Sequence, residues 1–183
     1  MASTGFTLPG RGASINTGSN EWTDPGNVTA DDAANASTAF GALSQSDSLF
    51  ADLYGFSIPS GATIDGIEVK YERVLPQWGE GAPTVTSTDL QLAEGGVVIG
   101  TVDTDLSDWT FSVVAVTRGS DSDDWGAALT PEIVNSDTFG VRLEATWDAA
   151  LGTTDTAEVD YIQINVHYTE AASFPHLPLL GAG

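Results

Sequence analysis

The chain has 183 residues, 41% of them hydrophobic, which is enough for one sizeable core and too apolar for a disordered chain. With 26 Asp and Glu residues against 5 Lys and Arg residues, the net charge is −21, which excludes a basic nucleic-acid surface and disfavours binding to an anionic membrane. The absence of cysteine excludes disulfides, thiolate zinc sites and cysteine nucleophiles.

The strong acidity has two interpretations. A highly charged surface keeps a protein soluble in ordinary conditions. The same surface suits a halophilic setting, in which salt screens the repulsion between carboxylates. Both interpretations stay open at the level of sequence.

Residues 1–20 are rich in Gly, Ser and Thr and low in bulky apolar side chains. They lack the basic start and the apolar block of a secretion signal. We therefore expect an extended N-terminal arm. After it, residues 31–44 predict either a short helix or an irregular connection.

Strands are predicted on both sides of a sharp corner. Residues 48–58 form an apolar run that Pro59 ends, and Ser60-Gly61 completes the turn, with Gly61 free to take a positive φ. Residues 64–73 then alternate with period two, a pattern typical of a strand with one buried face. The side chains predicted to face the core are Ile67, Val69 and Tyr71.

The second half of the chain predicts further strands. Shorter strands are expected at residues 85–92 and 97–102, and Thr130 is expected to cap a helical turn that begins at Pro131. Three longer alternating runs predict buried faces made of Trp109, Phe111 and Val113, of Phe139, Val141, Leu143, Ala145 and Trp147, and of Ile162, Ile164, Val166 and Tyr168.

About eight strands of this kind predict an all-β fold, a single antiparallel β-sandwich resembling a jelly roll. The sandwich is expected to span residues 21–169, between the N-terminal arm and a C-terminal tail at 170–183. Pro175 and Pro178 exclude a helix and a central strand in that tail. Its apolar side chains must be covered by the same domain or by a neighbour, and the candidate partner-interface residues are Phe174, Leu177, Leu179 and Leu180.

Catalytic motifs are absent from the sequence: it contains no P-loop, no G-x-S-x-G and no H-E-x-x-H. The two histidines, His167 and His176, are too few for a three-histidine metal site and are interpreted as surface or interface residues. We therefore predict that the protein is not an enzyme and carries no cofactor.

Two acidic loops offer the oxygen ligands that calcium prefers, and they are weak candidates for cation binding. Neither loop has the spacing of an EF-hand, and Asp in such loops commonly caps its own turn. The candidate ligands are Asp103, Asp105 and Asp108 in the first loop and Asp121, Asp123 and Asp124 in the second.

Five tryptophans allow an aromatic surface for sugars. Trp109 and Trp147 lie in alternating runs and are predicted to be in the core. Trp22, Trp78 and Trp125 lie in loop-like sequence, where they either stack on carbohydrate or are buried over the ends of the sandwich or at a subunit contact.

Four segments, at residues 55–69, 90–101, 123–143 and 159–168, resemble a β-sandwich family encoded among the structural genes of tailed bacteriophages and tailed archaeal viruses. The resemblance rests on a motif like F-x-I-P-x-G-A-x-I-x-G-I-x-V and on a W-G followed by L-T-x-x-x-V-N-S-x-x-F-G-V. The matching residues are Phe56, Ile58, Pro59, Gly61, Ala62, Ile64, Gly66, Ile67, Val69, Trp125, Gly126, Leu129, Thr130, Val134, Asn135, Ser136, Phe139, Gly140 and Val141.

The resemblance implies a non-enzymatic virion component, assembled in the host cytoplasm, that decorates the capsid surface or is associated with the head or tail. Its expected partners are other copies of itself, in a trimer or another cyclic oligomer, and neighbouring virion proteins such as the major capsid protein. The alternative interpretation is a carbohydrate-binding β-sandwich module. Neither interpretation involves nucleic acid or a membrane.

Overall fold

The computed structural model describes residues 1–41, 44–76, 85–147 and 155–172. Two antiparallel sheets contain all of its strands. Sheet I consists of β1 (Ala2–Ser3), β3 (Ala36–Phe40), β6 (Thr63–Val74), β10 (Val114–Gly119) and β12 (Asp155–Thr169). Sheet II consists of β2 (Arg11–Ile15), β4 (Ser44–Gln45), β5 (Ser48–Asp52), β7 (Val85–Glu94), β8 (Val97–Val98), β9 (Asp103–Asp105) and β11 (Phe139–Trp147).

The strand order confirms the predicted jelly roll. In sheet I the principal strands run β3–β12–β6–β10, and in sheet II they run β5–β11–β7–β9. These eight strands form the two interlocked Greek keys of a jelly roll. The remaining strands are short additions, and the helical elements are a 3-10 helix at Pro25–Thr29 and one α-helical turn, α1, at Pro131–Val134. Among the described residues no helix has the length and apolarity that crossing a membrane requires.

The core lies between the sheets and follows the period-two alternation. All five residues predicted for the inner face of β11 are buried, and Trp147 at its end stacks on Phe40 of β3 with ring centroids 5.7 Å apart. In β12 the alternation changes phase: Ala157 and Val159 face the core, and Ile162 begins the next inward series. The register shift between Val159 and Ile162 is a β-bulge, and it places Asp160 and Tyr161 outside the regular pairing.

The corner before β6 is a tight turn closed by the Ala62 N–H, which donates to the Pro59 carbonyl at 2.9 Å. Gly61 does not adopt the positive φ that its sequence suggested. Gly66 is the position that has no room for a side chain, because a Cβ there would lie 2.5 Å from backbone atoms of residues 120–122. The second acidic loop, which contains residues 120–124, therefore packs directly against β6.

The two motif segments that carry the family resemblance hydrogen-bond to each other. The Asn135 side chain, just after α1, accepts from the Ile58 N–H and donates to the Ile58 carbonyl, both at 2.8 Å. The Trp125 indole N–H donates to the Ile67 carbonyl at 2.9 Å. Thr130 caps α1 as predicted, since its hydroxyl accepts from the Ile133 N–H. These motif residues hold the scaffold together.

Three expectations from sequence differ from the structure. Residues 1–20 are not a free arm, because β1 pairs with β12 and β2 pairs with β5. Residues 31–44 contain strand β3 rather than a helix, because β12 supplies a partner strand for them. Residues 109–113 are not a strand, since Trp109 and Thr110 bond to different sheets where the chain crosses between them, and Phe111 and Val113 are exposed.

Candidate functional site

A polar groove of about 330 Å³ lies beside the β2–β5 edge of sheet II. Its size is at the lower end of the range for small-molecule sites. Hydroxyl, amide and carboxylate side chains line it, together with one glycine: Ser14, Asn16, Gly18, Ser19, Glu21 and Asp47. We call this set the polar groove.

Asp47 is the most buried acidic residue of the groove, with 5% of its surface exposed. Its Oδ1 accepts from the backbone N–H groups of Gly18 at 3.0 Å and Thr17 at 3.3 Å. Its own N–H donates to the Asn20 carbonyl at 2.7 Å. These bonds fix the carboxylate before any ligand arrives, which reduces the entropy lost on binding.

The loop at residues 16–19 is fixed from both sides. The Thr17 hydroxyl donates to Glu144 Oε1 of β11 at 2.9 Å, and the Ser19 N–H donates to the Gln45 carbonyl at 3.0 Å. Gly18 has no space for a side chain, because a Cβ would lie 2.1 Å from the Ser46 carbonyl oxygen. The groove is therefore preformed, and Asn16, Ser19 and Glu21 remain exposed at its rim.

Trp22 is hydrogen-bonded to two of the residues that line the groove, but it offers no stacking surface. Its N–H donates to the Ser14 hydroxyl at 3.1 Å, and its indole N–H donates to the Asp47 carbonyl at 2.8 Å. The ring is buried, as are those of Trp109, Trp125 and Trp147. The interpretation that these rings are buried is therefore correct for Trp22 and Trp125, whereas Trp78 lies outside the described residues.

No basic side chain lines the groove. Each of the four arginines forms an ion pair with a carboxylate, and Lys70 lies over the rings of Phe6 and Tyr161 on the outer face of sheet I. A groove with two carboxylates and no cation disfavours anionic ligands. Its donors and acceptors suit a neutral polyhydroxyl compound.

The first calcium candidate loop is held by ion pairs. Asp103 pairs with Arg118, and Asp105 lies 3.2 Å from Arg73 and accepts from the Tyr71 hydroxyl at 3.1 Å. Burial works against the charged form of Asp105, yet hydrogen bonds from Ser107 and the Arg73 charge prevail and lower its pKa. Asp108 is exposed. Asp103 and Asp105 therefore already have cationic partners.

The second calcium candidate loop is a pair of Asp-capped turns. Asp123 Oδ1 accepts from the Trp125 N–H at 2.8 Å, and Asp124 Oδ1 accepts from the Gly126 N–H at 2.9 Å. Asp121 is exposed. In the part of the chain that the structure describes, no group of three or more His, Cys, Asp or Glu side chains is arranged to hold a metal ion.

His167 lies on the outer face of sheet I, where its Nε2 is 2.8 Å from Glu68 Oε2. This hydrogen bond lowers the pKa of Glu68, against the effect of its partial burial. The other predicted surface histidine, His176, and the four tail candidates, Phe174, Leu177, Leu179 and Leu180, lie outside the described residues.

Sequence reasoning did not single out the polar groove. Its one signal is the run of small polar residues at 13–21, which a composition-based interpretation assigns to a flexible arm. The contribution of Asp47 has no sequence signal, because it depends on the pairing of β2 with β5.

No family model matches the chain, and no curated protein matches it. Among solved structures, the chain is similar to the arabinose-bound α-L-arabinofuranosidase MgGH51, with a TM-score of 0.51, 8% identity, and coverage of 88% of this chain and 26% of that one. A CBM4 structure matches with a TM-score of 0.44 and 13% identity, over 89% of this chain and 95% of that one. The Stig cyclase Fisc from Fischerella sp. TAU matches with a TM-score of 0.42 and 9% identity, over 90% and 89%. At these identities the likeness concerns the fold, and the chain spans about a quarter of the arabinofuranosidase.

Proposed function

We propose that the protein is a non-enzymatic binding module that holds a neutral carbohydrate in the polar groove. The observation that carries the proposal is the preformed groove itself, which presents hydroxyl, amide and carboxylate groups and no cation. The similarity in fold to carbohydrate-binding modules is compatible with this function but does not supply its residues.

The chemistry of the groove suits the hydroxyl groups of sugars. Carboxylate oxygens accept from sugar hydroxyls, and an Asn amide both donates and accepts across adjacent hydroxyls. Asp47 is fixed by backbone donors, so it can accept without reorganising. Because no exposed aromatic ring lines the groove, we expect binding by hydrogen bonds and an affinity that is weak for a single sugar unit.

The test is a calorimetric titration of the full chain with a panel of neutral oligosaccharides. Asn16→Ala and Glu21→Ala change exposed rim residues, so the fold should be unaffected. Each substitution is expected to raise the Kd of a bound oligosaccharide about tenfold, which corresponds to about 1.4 kcal/mol. The matched control is Phe6→Ala, an exposed residue on the outer face of sheet I.

Two outcomes would contradict the proposal. The first is the absence of binding across the whole panel. The second is binding that Phe6→Ala removes and the groove variants leave intact, which would place the ligand on sheet I.

A second candidate function is a structural subunit of a virus particle. It is favoured by the motif residues that resemble the tailed-virus family and by exposed apolar side chains near the edge strands β9 and β10. This function and carbohydrate binding are compatible, since a particle surface can carry a sugar-binding module. Mass spectrometry of purified particles, with copy number, would distinguish a capsid subunit from a fibre present in few copies.

A further inference from the structure

Exposed apolar side chains lie where both sheets end on the same side of the sandwich. Val102, Leu106, Val113 and Val114 are 47%, 77%, 59% and 37% exposed. They lie beside β9 and at the start of β10, the outermost principal strands of the two sheets. Within the described residues, β9 pairs with β7 alone and β10 pairs with β6 alone. We call these four residues the apolar edge.

Ion pairs make the apolar edge one surface rather than two. Arg118 of β10 pairs with Asp103 of β9, and Arg73 of β6 lies 3.2 Å from Asp105 of β9. Val114 is the cross-strand partner of Arg73, and Leu106 follows Asp105. Leu106 and Val114 therefore flank the same buried pair.

The remainder of the chain constrains what can cover this surface. A copy with a net charge of −21 repels another acidic surface, so the covering segment should carry no carboxylates. Residues 174–180 satisfy this condition, since they contain no Asp or Glu. Their apolar side chains are Phe174, Leu177, Leu179 and Leu180.

The end of the apolar edge at Leu106 and Val114 is out of reach of these residues in the same chain. Strand β12 ends with Thr169 opposite Thr63, whereas Val114 lies opposite Arg73, about 33 Å away along β6. Ala171 lies beside Gly61, still further from the edge. A fully extended chain from residue 172 to Leu180 spans at most about 29 Å.

We propose that the apolar edge of one copy receives residues 174–180 of a second copy. Pro175 and Pro178 lack backbone N–H groups and fix φ, so the segment docks through its side chains rather than as an added strand. The contact joins different surfaces on the two copies, so a closed assembly of this kind is a ring. The proposal is independent of carbohydrate binding.

The test is cysteine cross-linking in the full chain, which has no native cysteine. A Leu106→Cys protein is mixed with a Leu179→Cys protein under mild oxidation, in about 1 M salt to screen the repulsion. We expect a mixed disulfide between the two variants, identified by mass spectrometry. Phe6→Cys mixed with Leu179→Cys is the control, because Phe6 is exposed on the opposite side of sheet I, and its yield is expected to be several-fold lower.

A chain carrying both Leu106→Cys and Leu179→Cys shows whether residues 174–180 come from the same chain or from a second copy. At high dilution we expect no disulfide within one chain, and a disulfide within one chain would overturn the proposal. A mixed-disulfide yield no greater than that of the Phe6→Cys control would also overturn it. Sedimentation velocity provides a second readout, since Leu106→Ser with Val113→Ser should abolish a concentration-dependent oligomer and leave a folded monomer.

Discussion

At the scale of residues, each of the two buried acids of β12, Asp155 and Asp160, has one carboxylate oxygen without a hydrogen-bond partner. Asp160 is 3% exposed, and its Oδ2 accepts from the Ala33 N–H at 3.2 Å while Oδ1 has no hydrogen-bond partner. Burial, helped by the charges of Asp31 and Asp32, raises the pKa of Asp160. Burial also raises the pKa of Asp155, whose Oδ2 is likewise without a partner.

The raised pKa of Asp160 makes the stability of the fold depend on pH in a definite direction. The folded chain holds a proton on Asp160 more tightly than the unfolded chain does. The free energy of unfolding therefore falls as pH rises from the unfolded pKa, near 3.9, through the raised folded pKa. The cost of the buried charge is then fully present at any pH above the raised folded pKa.

Asp160→Asn is expected to raise the free energy of unfolding at pH 7, because the amide carries no charge and its N–H groups can donate to the neighbouring carboxylates. The gain should shrink as pH falls through about 4 and vanish only below the unfolded pKa, where the aspartate is protonated in both states. Urea unfolding at several pH values measures it. The control, Asp121→Asn on an exposed loop, should change stability by less than about 0.5 kcal/mol. A pH-independent gain would contradict this assignment.

At the scale of elements, the packing of the second acidic loop on β6 depends on Gly66. The Ile67 N–H donates to the Asp123 carbonyl at 2.9 Å, and the Trp125 indole bonds to the Ile67 carbonyl. Backbone atoms of residues 120–122 occupy the space that a Gly66 Cβ would need. Strand and loop are thus in direct backbone contact.

Gly66→Ala is expected to lower the free energy of unfolding by about 1–3 kcal/mol, because the new methyl group must displace backbone. The matched control is Gly61→Ala at the corner, where a Cβ would make an ordinary 3.4 Å contact with Ala171 and φ is not positive. It should change stability by less than about 1 kcal/mol. Chemical denaturation of both variants measures the difference. Equal losses in the free energy of unfolding would show that the loop shifts to accommodate the methyl group at little cost.

At the scale of the whole molecule, charge opposes compactness. The net charge of −21 is spread over 183 residues, and the five basic residues are placed next to specific carboxylates or aromatic rings. Most of the surface carboxylates therefore repel one another. Salt shortens the range of this repulsion from about 10 Å at 0.1 M to about 3 Å at 1 M.

The midpoint of thermal unfolding is expected to rise as sodium chloride increases from about 0.1 to 1 M at pH 7, because screening favours the compact state. The control is the same series near the isoelectric point of about 4.1, where the net charge vanishes and the slope should be smaller. Differential scanning calorimetry measures both series. If the unfolding midpoint rose equally with salt at both pH values, the effect would come from general salt exclusion and not from screening of charge.

Much of the architecture follows from local sequence. The period-two runs at residues 64–73 and 139–147 predicted β6 and β11 with the correct inner faces, because alternation reports directly which side is buried. Thr130 and Pro131 predicted α1 because a helix cap is a local interaction. Residues 1–20 and 31–44 were misassigned because their strands exist only through distant partners, β12 and β5.

The sequence by itself determined the all-β class, the jelly roll and the acidic surface, since these depend on alternation and composition. Only the tertiary structure decided the two surfaces to which functions are proposed. The polar groove arises when β2 pairs with β5 and brings Asp47 against residues 14–21. The apolar edge arises when β9 and β10, in different sheets, come to the same side. Both depend on contacts between residues far apart in the chain, and period-two alternation carries no information about those contacts.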